Sequence, residues 1–600
     1  MASGSPARSP ARSPSSKHAV QLPPEVVNHE AIMLDSDVES ITEPLLPSQT
    51  RSTLQNPFAS GLSSSASSYT ASLSSIINET HEEISNVKLV VVFLSLYIGV
   101  FLGALDGTVV ATLLAHIASE FDGFRNVSWI ATAYLIACAA FQPLYGKLTD
   151  IFGRKPGLIF SNVMFGLGCL ACGMASNLWL LVFARVVAGI GGGGLFALST
   201  ITLSDLVPLR RRGVLQGFGN IMFGSGSALG GILGGAVSSS LGWRWAFYLQ
   251  VPFIVISTLA IILFLDLPVK PDYDSDEEAV DGETELAREG RLLKRIDFLG
   301  AGTLVVALVL FLFAVSVGGN QLPWNHWVVV ISLPLSVAIF ALYIYIELEV
   351  AVEPIIPVQL LKDRTIFGAS FCNWFMTMSV YSLLFYIPLY FVSVRDFSET
   401  KAGSSLISNF VGVAVGSFGS GIYMRSTGQY YKLALVCAGL YILGTGLVIS
   451  LGLHTSMWLV IIYTFLPGVA YGALLTITLI ALIAAVPHEF QAVTTSIQYG
   501  FRGTGSTLGV AVASSVFQNT LTKSLQGRIY GSDSAQIINR ILESVDSVKS
   551  LPPYLIPTVR EAYLDASRAV FILCCILGVV TAGATILMKE HVLHSTLSRR

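Results

Sequence analysis

From residue 87 onward the chain alternates between long apolar runs and short polar stretches. A helix needs about 20 mainly apolar residues to cross a bilayer, and about fourteen runs approach that length. They lie at 88–114, 127–147, 156–176, 179–206, 214–240, 245–267, 297–318, 326–346, 366–392, 402–424, 432–452, 456–486, 491–519 and 567–588. Inside hydrocarbon a backbone must satisfy its own hydrogen bonds, which a helix does within one segment. The pattern therefore predicts an all-α integral membrane protein.

The stretches between the runs divide the chain. Residues 1–86 are rich in Ser and Pro and lack apolar periodicity, so a disordered N-terminal tail is expected there. No apolar segment follows Met1 closely, and the first run is expected to act as the insertion signal. Residues 268–296 open with an acidic stretch from Asp272 to Glu285 and read as a solvated linker. Residues 520–566 form a long loop, and 589–600 a short C-terminal tail. Short loops on the cytosolic side carry excess Lys and Arg. Lys147, Arg154, Lys155, Arg210, Arg211, Arg212, Lys362, Arg364, Arg425 and Lys432 all fall in loops at one side. This predicts that both termini are cytosolic and that loop 520–566 is on the outer or lumenal side.

Composition narrows the class further. Hydrophobic residues make up 53% and charged residues 12%, against about 25% charged in an average soluble domain. A net charge of -3 offers nothing to attract nucleic acid. The 54 glycines favour close helix packing. All seven cysteines fall within apolar runs, so loop disulfides are not expected. No phosphate-binding Gly-Lys loop and no His/Glu metal motif occurs, and neither a cofactor nor a metal nor an enzyme activity is expected.

Charges within apolar runs are costly and mark candidate sites. Asp106 lies in the first run, Arg185 in the fourth and Arg502 in the thirteenth. Counted from the run ends, Asp106 and Arg185 share a depth of about 9 Å from the outer side. Asp106 is a candidate to bind a proton or a cationic group, and the alternative is that the two form a static buried ion pair. Arg502 sits near mid-depth, where it could meet a substrate carboxylate or cap carbonyls at a glycine-rich crossing (Gly500, Gly503, Gly505, Gly509). Asn373, Tyr381 and Tyr386 are candidate cavity liners in the ninth run, and His116 is expected at the membrane interface.

The loop after the second run reads Gly146-Lys147-Leu148-Thr149-Asp150-Ile151-Phe152-Gly153-Arg154-Lys155. A weaker copy, Gly421 to Lys432, follows the tenth run, with Arg425 in place of the acid. The first copy resembles the signature loop of the major facilitator superfamily, and its recurrence suggests an internal repeat. Leu105-Asp106-Gly107-Thr108-Val109-Val110-Ala111-Thr112 resembles the first-span motif of the fourteen-span drug:proton antiporters. The segment from Arg185 to Gly193 resembles their fourth-span arginine motif. Gly226 to Gly231 occupies the place of the antiporter motif, with Ser227 where proline is usual. Together with Ser204 to Gly213 and Gly242 to Phe253, the chain looks most like the fungal vacuolar basic amino acid transporters.

The resemblance implies a fold of about fourteen helices in two pseudo-symmetric bundles, residues 87–267 and 366–588, with two inserted helices at 297–346. It implies a proton-coupled carrier of lysine, arginine and histidine across the vacuolar membrane by alternating access. Its partners would be the basic amino acid, protons and membrane lipid. Asp106 and Arg185 would form the proton or substrate site, and Gly146, Asp150, Gly153, Arg154 and Asp205 a conformational latch. Glu43-Pro44-Leu45-Leu46 resembles a dileucine signal for a sorting adaptor. The alternatives are a drug or toxin efflux antiporter at the plasma membrane and a nutrient sensor that no longer transports.

Overall fold

The apolar runs fold as helices, and no strand occurs among the described residues. The computed structural model describes residues 86–121, 129–265, 295–319, 321–351, 353–397, 399–530, 534–543 and 552–593. All of them belong to one unit, Ile84–Arg600. The tail with Glu43, Leu45 and Leu46, and nearly all of the acidic linker, lie outside the described residues, as does the side chain of His116.

The helices are α1 (Asn86–Glu120), α2 (Trp129–Phe141), α3 (Leu144–Phe152), α4 (Arg154–Met174), α5 (Leu178–Leu206), α6 (Leu209–Leu241) and α7 (Gln250–Phe264). There follow α8 (Phe298–Val317), α9 (Trp327–Tyr345), α10 (Arg364–Ser393), α11 (Leu406–Thr427), α12 (Tyr431–Ile449) and α13 (Met457–Ala484). The last are α14 (Gln491–Gln526), α15 (Ser534–Glu543) and α16 (Ile556–Ile586). Local chemistry sets several ends. The Asn177 side chain accepts from Leu180 N at 2.8 Å to cap α5. The Asp363 carboxylate accepts from Thr365 N and Ile366 N to cap α10. Gly153, at φ +91°, makes the turn between α3 and α4.

Twelve helices among the described residues are long and apolar enough to cross a membrane. The expectation of fourteen differs at two places. The run at 127–147 breaks at Gln142-Pro143, because proline has no N–H to continue α2, which leaves an apolar helix of 13 residues. The run at 491–519 is helical throughout, but Gln, Thr and Ser make it more polar than a lipid-facing span. Its first half is almost wholly buried, and protein packing replaces lipid around it. The last span also begins earlier than its apolar run, at Ile556.

The helix pairings repeat. Among the first helices, α1 packs on α5, α6 and α7, α4 packs on α5 and α7, and α2 packs on α5. The same six partnerships recur as α10 with α13, α14 and α16, α12 with α13 and α16, and α11 with α13. The contacts between these two groups exchange in the same way, α6 against α11 and α2–α3 against α14. The α8–α9 pair stands apart from the repeat. Helix α8 packs along the α2/α14 seam, where Leu312 and Val315 meet Ile136, Ala139, Leu508 and Ala511.

Candidate functional site

Asp106 and Arg185 meet in the interior of the first helix group. Both are fully buried, with Arg185 Nη1 2.5 Å from Asp106 Oδ2. Gln250 Nε2 donates to the other carboxylate oxygen at 3.4 Å. Arg185 Nε donates to Ile130 O at 3.2 Å, and the guanidinium lies 4.3 Å over the Tyr134 ring. Tyr134 in turn donates to Gly103 O. The pair thus joins α1, α2, α5 and α7 in a sealed cluster, and it lines neither of the cavities between the helix groups.

Arg502 is placed differently. It faces a small cavity of about 20 Å³ lined by Tyr97 and Val100 of α1, Phe196, Ser199 and Thr200 of α5, Gln216, Asn220 and Phe223 of α6, and Tyr499 of α14. A smaller pocket beside it adds Leu475, Leu479 and Gln498. No described carboxylate pairs with Arg502. Its guanidinium lies 4.8 Å over the Phe223 ring and 5.8 Å over that of Tyr499. The Tyr471 and Tyr381 hydroxyls are further neighbours. The cavity therefore carries a cation held by rings and hydroxyls. Such a group attracts an anion, and a planar guanidinium suits a carboxylate with two parallel hydrogen bonds.

A polar network closes the cavity wall across both helix groups. Tyr499 and Thr200 share a hydrogen bond of 2.6 Å, and Thr200 donates to Gln216 Oε1 at 3.3 Å. Gln216 donates to Asn220, which donates to Ser417 at 2.8 Å and to Thr476 at 3.4 Å. Motif reading passed over these residues because neutral amides and hydroxyls carry no charge signal. The available signal was Gln216 and Asn220, two amides four residues apart and hence on one helix face.

The other candidates of the ninth run are placed by packing. Asn373 is fully buried and donates to Gln498 O at 3.1 Å, joining α10 to α14. Tyr386 packs against Phe517, with ring centroids 5.0 Å apart. Tyr381 alone of the three lies beside Arg502.

At the end of the molecule carrying the signature loop, Arg154 binds two acids. Its distances are 2.7 Å to Asp150 and 2.7 Å to Asp205. Arg154 also donates to Thr149 Oγ1 at 2.8 Å. These contacts tie α3, α4 and α5 within the first group. Further residues at this end cross to the second group. A Cβ on Gly146 would stand 2.7 Å from Ala492 O and 2.6 Å from Ser496 Oγ. A Cβ on Gly421 would stand 2.6 Å from Gly213 O. The leading glycines of the two related loops thus occupy matching crossings, α3 on α14 and α11 on α6. Arg212 Nη1 also donates to Gln491 Oε1 at 3.0 Å, from α6 to α14. These contacts hold the two groups together at the Asp150 end. Nearby, Glu353 takes Lys147 at 2.8 Å and Arg295 at 2.6 Å, tying both ends of the α8–α9 hairpin to α3. Partial burial pushes the Glu353 carboxyl up, but Arg295 and Lys147 together hold it below the usual range.

Residues 96–510 match the description of the Major Facilitator Superfamily. This chain belongs to the major facilitator superfamily. It is a multi-pass membrane transporter and not an enzyme. Multidrug resistance protein fnx1 of Schizosaccharomyces pombe is 36% identical over 497 residues, covering 82% of this chain and 91% of that one. The vacuolar membrane amino acid uptake transporter fnx2 of the same yeast is 35% identical, covering 77% of this chain and 78% of that one. Vacuolar basic amino acid transporter 2 of Saccharomyces cerevisiae is 32% identical, covering 75% and 95% respectively. Among solved structures, the human organic anion transporter MFSD10 superposes with a TM-score of 0.52 at 16% identity, over 82% of this chain and 99% of that one. That likeness carries the superfamily fold alone.

Proposed function

We propose that this transporter carries basic amino acids across the vacuolar membrane, coupled to protons, by alternating access between its two six-helix bundles. The observation that carries the amino-acid reading is Arg502, a cation facing a cavity built from both helix groups with no carboxylate partner among the described residues. A substrate with an α-carboxylate supplies the missing charge. The names of two similar proteins, both vacuolar amino acid transporters, favour the basic substrates and the membrane. The neutral oxygens of Gln216, Asn220 and Thr200 then meet the cationic side chain.

Asp106 takes the proton in this scheme and not the substrate. Arg185 and Gln250 already occupy both carboxylate oxygens, and the pair is sealed from the cavity. Protonating Asp106 breaks the ion pair and loosens the packing of α1 on α5 and α7, which biases the conformational equilibrium. With the termini cytosolic, the Asp150 end is the cytosolic gate, and the contacts of Gly146, Gly421 and Arg212 between the helix groups support that role.

The test is uptake of labelled arginine, lysine and histidine into isolated vacuoles, with and without a protonophore. Saturable uptake abolished by the protonophore supports the reading, and Arg502→Lys should weaken arginine uptake more than uptake of its decarboxylated amine. A second reading, efflux of aromatic drugs, is favoured by the rings of Tyr97, Phe196, Phe223 and Tyr499 around the cavity and by the similarity to a multidrug resistance protein. Drug efflux from cells without any vacuolar amino acid uptake would establish it instead.

A further inference from the structure

Arg502 projects from α14 of the second helix group, yet the ring beneath it, Phe223, belongs to α6 of the first. Phe223 is itself braced. Phe196 of α5 meets it edge to face, with centroids 5.6 Å apart and planes at 66°. Phe196 in turn packs against Gly103 of α1, where a Cβ would stand 3.0 Å from the ring tip. A chain of contacts therefore runs from α1 through two rings to a guanidinium on the opposite group. A cation over an aromatic face is held by the ring quadrupole, more strongly where water is excluded.

We propose that Phe223 is a positioning and specificity-determining residue for the carboxylate end of the substrate. Its ring holds the Arg502 guanidinium at the seam between the two groups, where the carboxylate meets it. This rests on the carboxylate role given to Arg502 above. Because ring and guanidinium ride on opposite groups, the anion site is complete only when the groups meet at this level. Recognition of a carboxylate is thereby linked to closure, as a difference in affinity between two states requires. A ligand without a carboxylate gains nothing from the pairing.

The full chain, purified and reconstituted into phosphatidylcholine vesicles, supplies the test, with labelled arginine and its decarboxylated amine agmatine as probes. Phe223→Leu keeps the bulk and removes the ring. It should raise the KM for arginine about 2- to 30-fold, the range a cation–π contact spans, with vesicle incorporation unchanged and with the KM for agmatine moved far less. Phe223→Tyr and Phe223→Trp restore a ring and should restore the KM. In an Arg502→Gln background, Phe223→Leu should change nothing further. An arginine KM unmoved by Phe223→Leu, or moved equally with and without Arg502, overturns the proposal while leaving the carboxylate reading intact. If Arg502→Gln alone leaves both probes unchanged, the carboxylate reading falls first, and this inference with it.

Discussion

Gly146→Ala adds one methyl group where α3 crosses α14. The added Cβ would stand 2.7 Å from Ala492 O and 2.6 Å from Ser496 Oγ. The serine hydroxyl can rotate away, but the carbonyl belongs to the first turn of α14 and cannot. Relief requires the helices to part by roughly 0.7 Å, the difference between that 2.7 Å and ordinary contact near 3.4 Å. Overpacking of this kind costs about 1–3 kcal/mol, and each 1.4 kcal/mol is about tenfold in an equilibrium. The state shut at the Asp150 end should therefore lose about 5- to 150-fold in population relative to the open one. Gly421→Ala meets Gly213 O at 2.6 Å and should act alike from the matching crossing. Gly439→Ala is the control, because nothing lies within 4 Å of its Cβ position. The assay is maleimide labelling of Ser199→Cys, a cavity-lining position, from the Asp150 side, alongside the transport rate. Faster labelling and slower turnover are expected for Gly146→Ala and Gly421→Ala only. Labelling and turnover matching the Gly439→Ala control would refute the account of gate closure.

Three further outcomes follow from the contacts described. Asp106→Asn should abolish coupled uptake and also lower the amount of folded protein, because removing one partner of a buried pair costs about 3–5 kcal/mol; Asp106→Asn with Arg185→Gln should recover the protein but not the uptake, and uptake by the double variant would exclude a coupling role. The Glu353 carboxyl is depressed by its two cations, so its ion pairs stabilise the fold above the ordinary carboxylate value of 4.5 and are lost as pH falls through the lowered one. Glu353→Gln should then lower thermal stability at pH 7, by no more than about 1 kcal/mol for a partly exposed pair, and the variant and the parent should converge as pH falls through the lowered carboxyl value; a constant gap at all pH values would assign the effect to packing. Leu45→Ala with Leu46→Ala should move a fluorescently tagged protein away from the vacuolar rim, and an unchanged rim would place the sorting signal elsewhere.

The helical class was legible in the chain because length and hydrophobicity are local properties, and hydrocarbon permits few other backbone solutions. Among the described residues the apolar runs became helix, twelve of them long and apolar enough to cross a membrane rather than fourteen, and the signature loop, its copy and the charged residues of the first half pointed to the superfamily. The pairing of Asp106 with Arg185 was also within reach, since equal depth in neighbouring spans is a matter of counting residues. What counting could not supply was direction around the helix axis. Asp106 and Arg502 carry the same kind of signal in the sequence, a charge within an apolar run, yet one is sealed inside a helix group and the other faces the seam between groups. Gly146 and Gly421 read as loop punctuation, but their role lies in the carbonyls they approach on helices hundreds of residues away. The cavity itself is drawn from α1, α5, α6 and α14, and its hydrogen bonds join residues as far apart as Thr200 and Tyr499. Only the packing of whole helices brings such groups to one place, because no linear spacing encodes which faces of separate spans will meet.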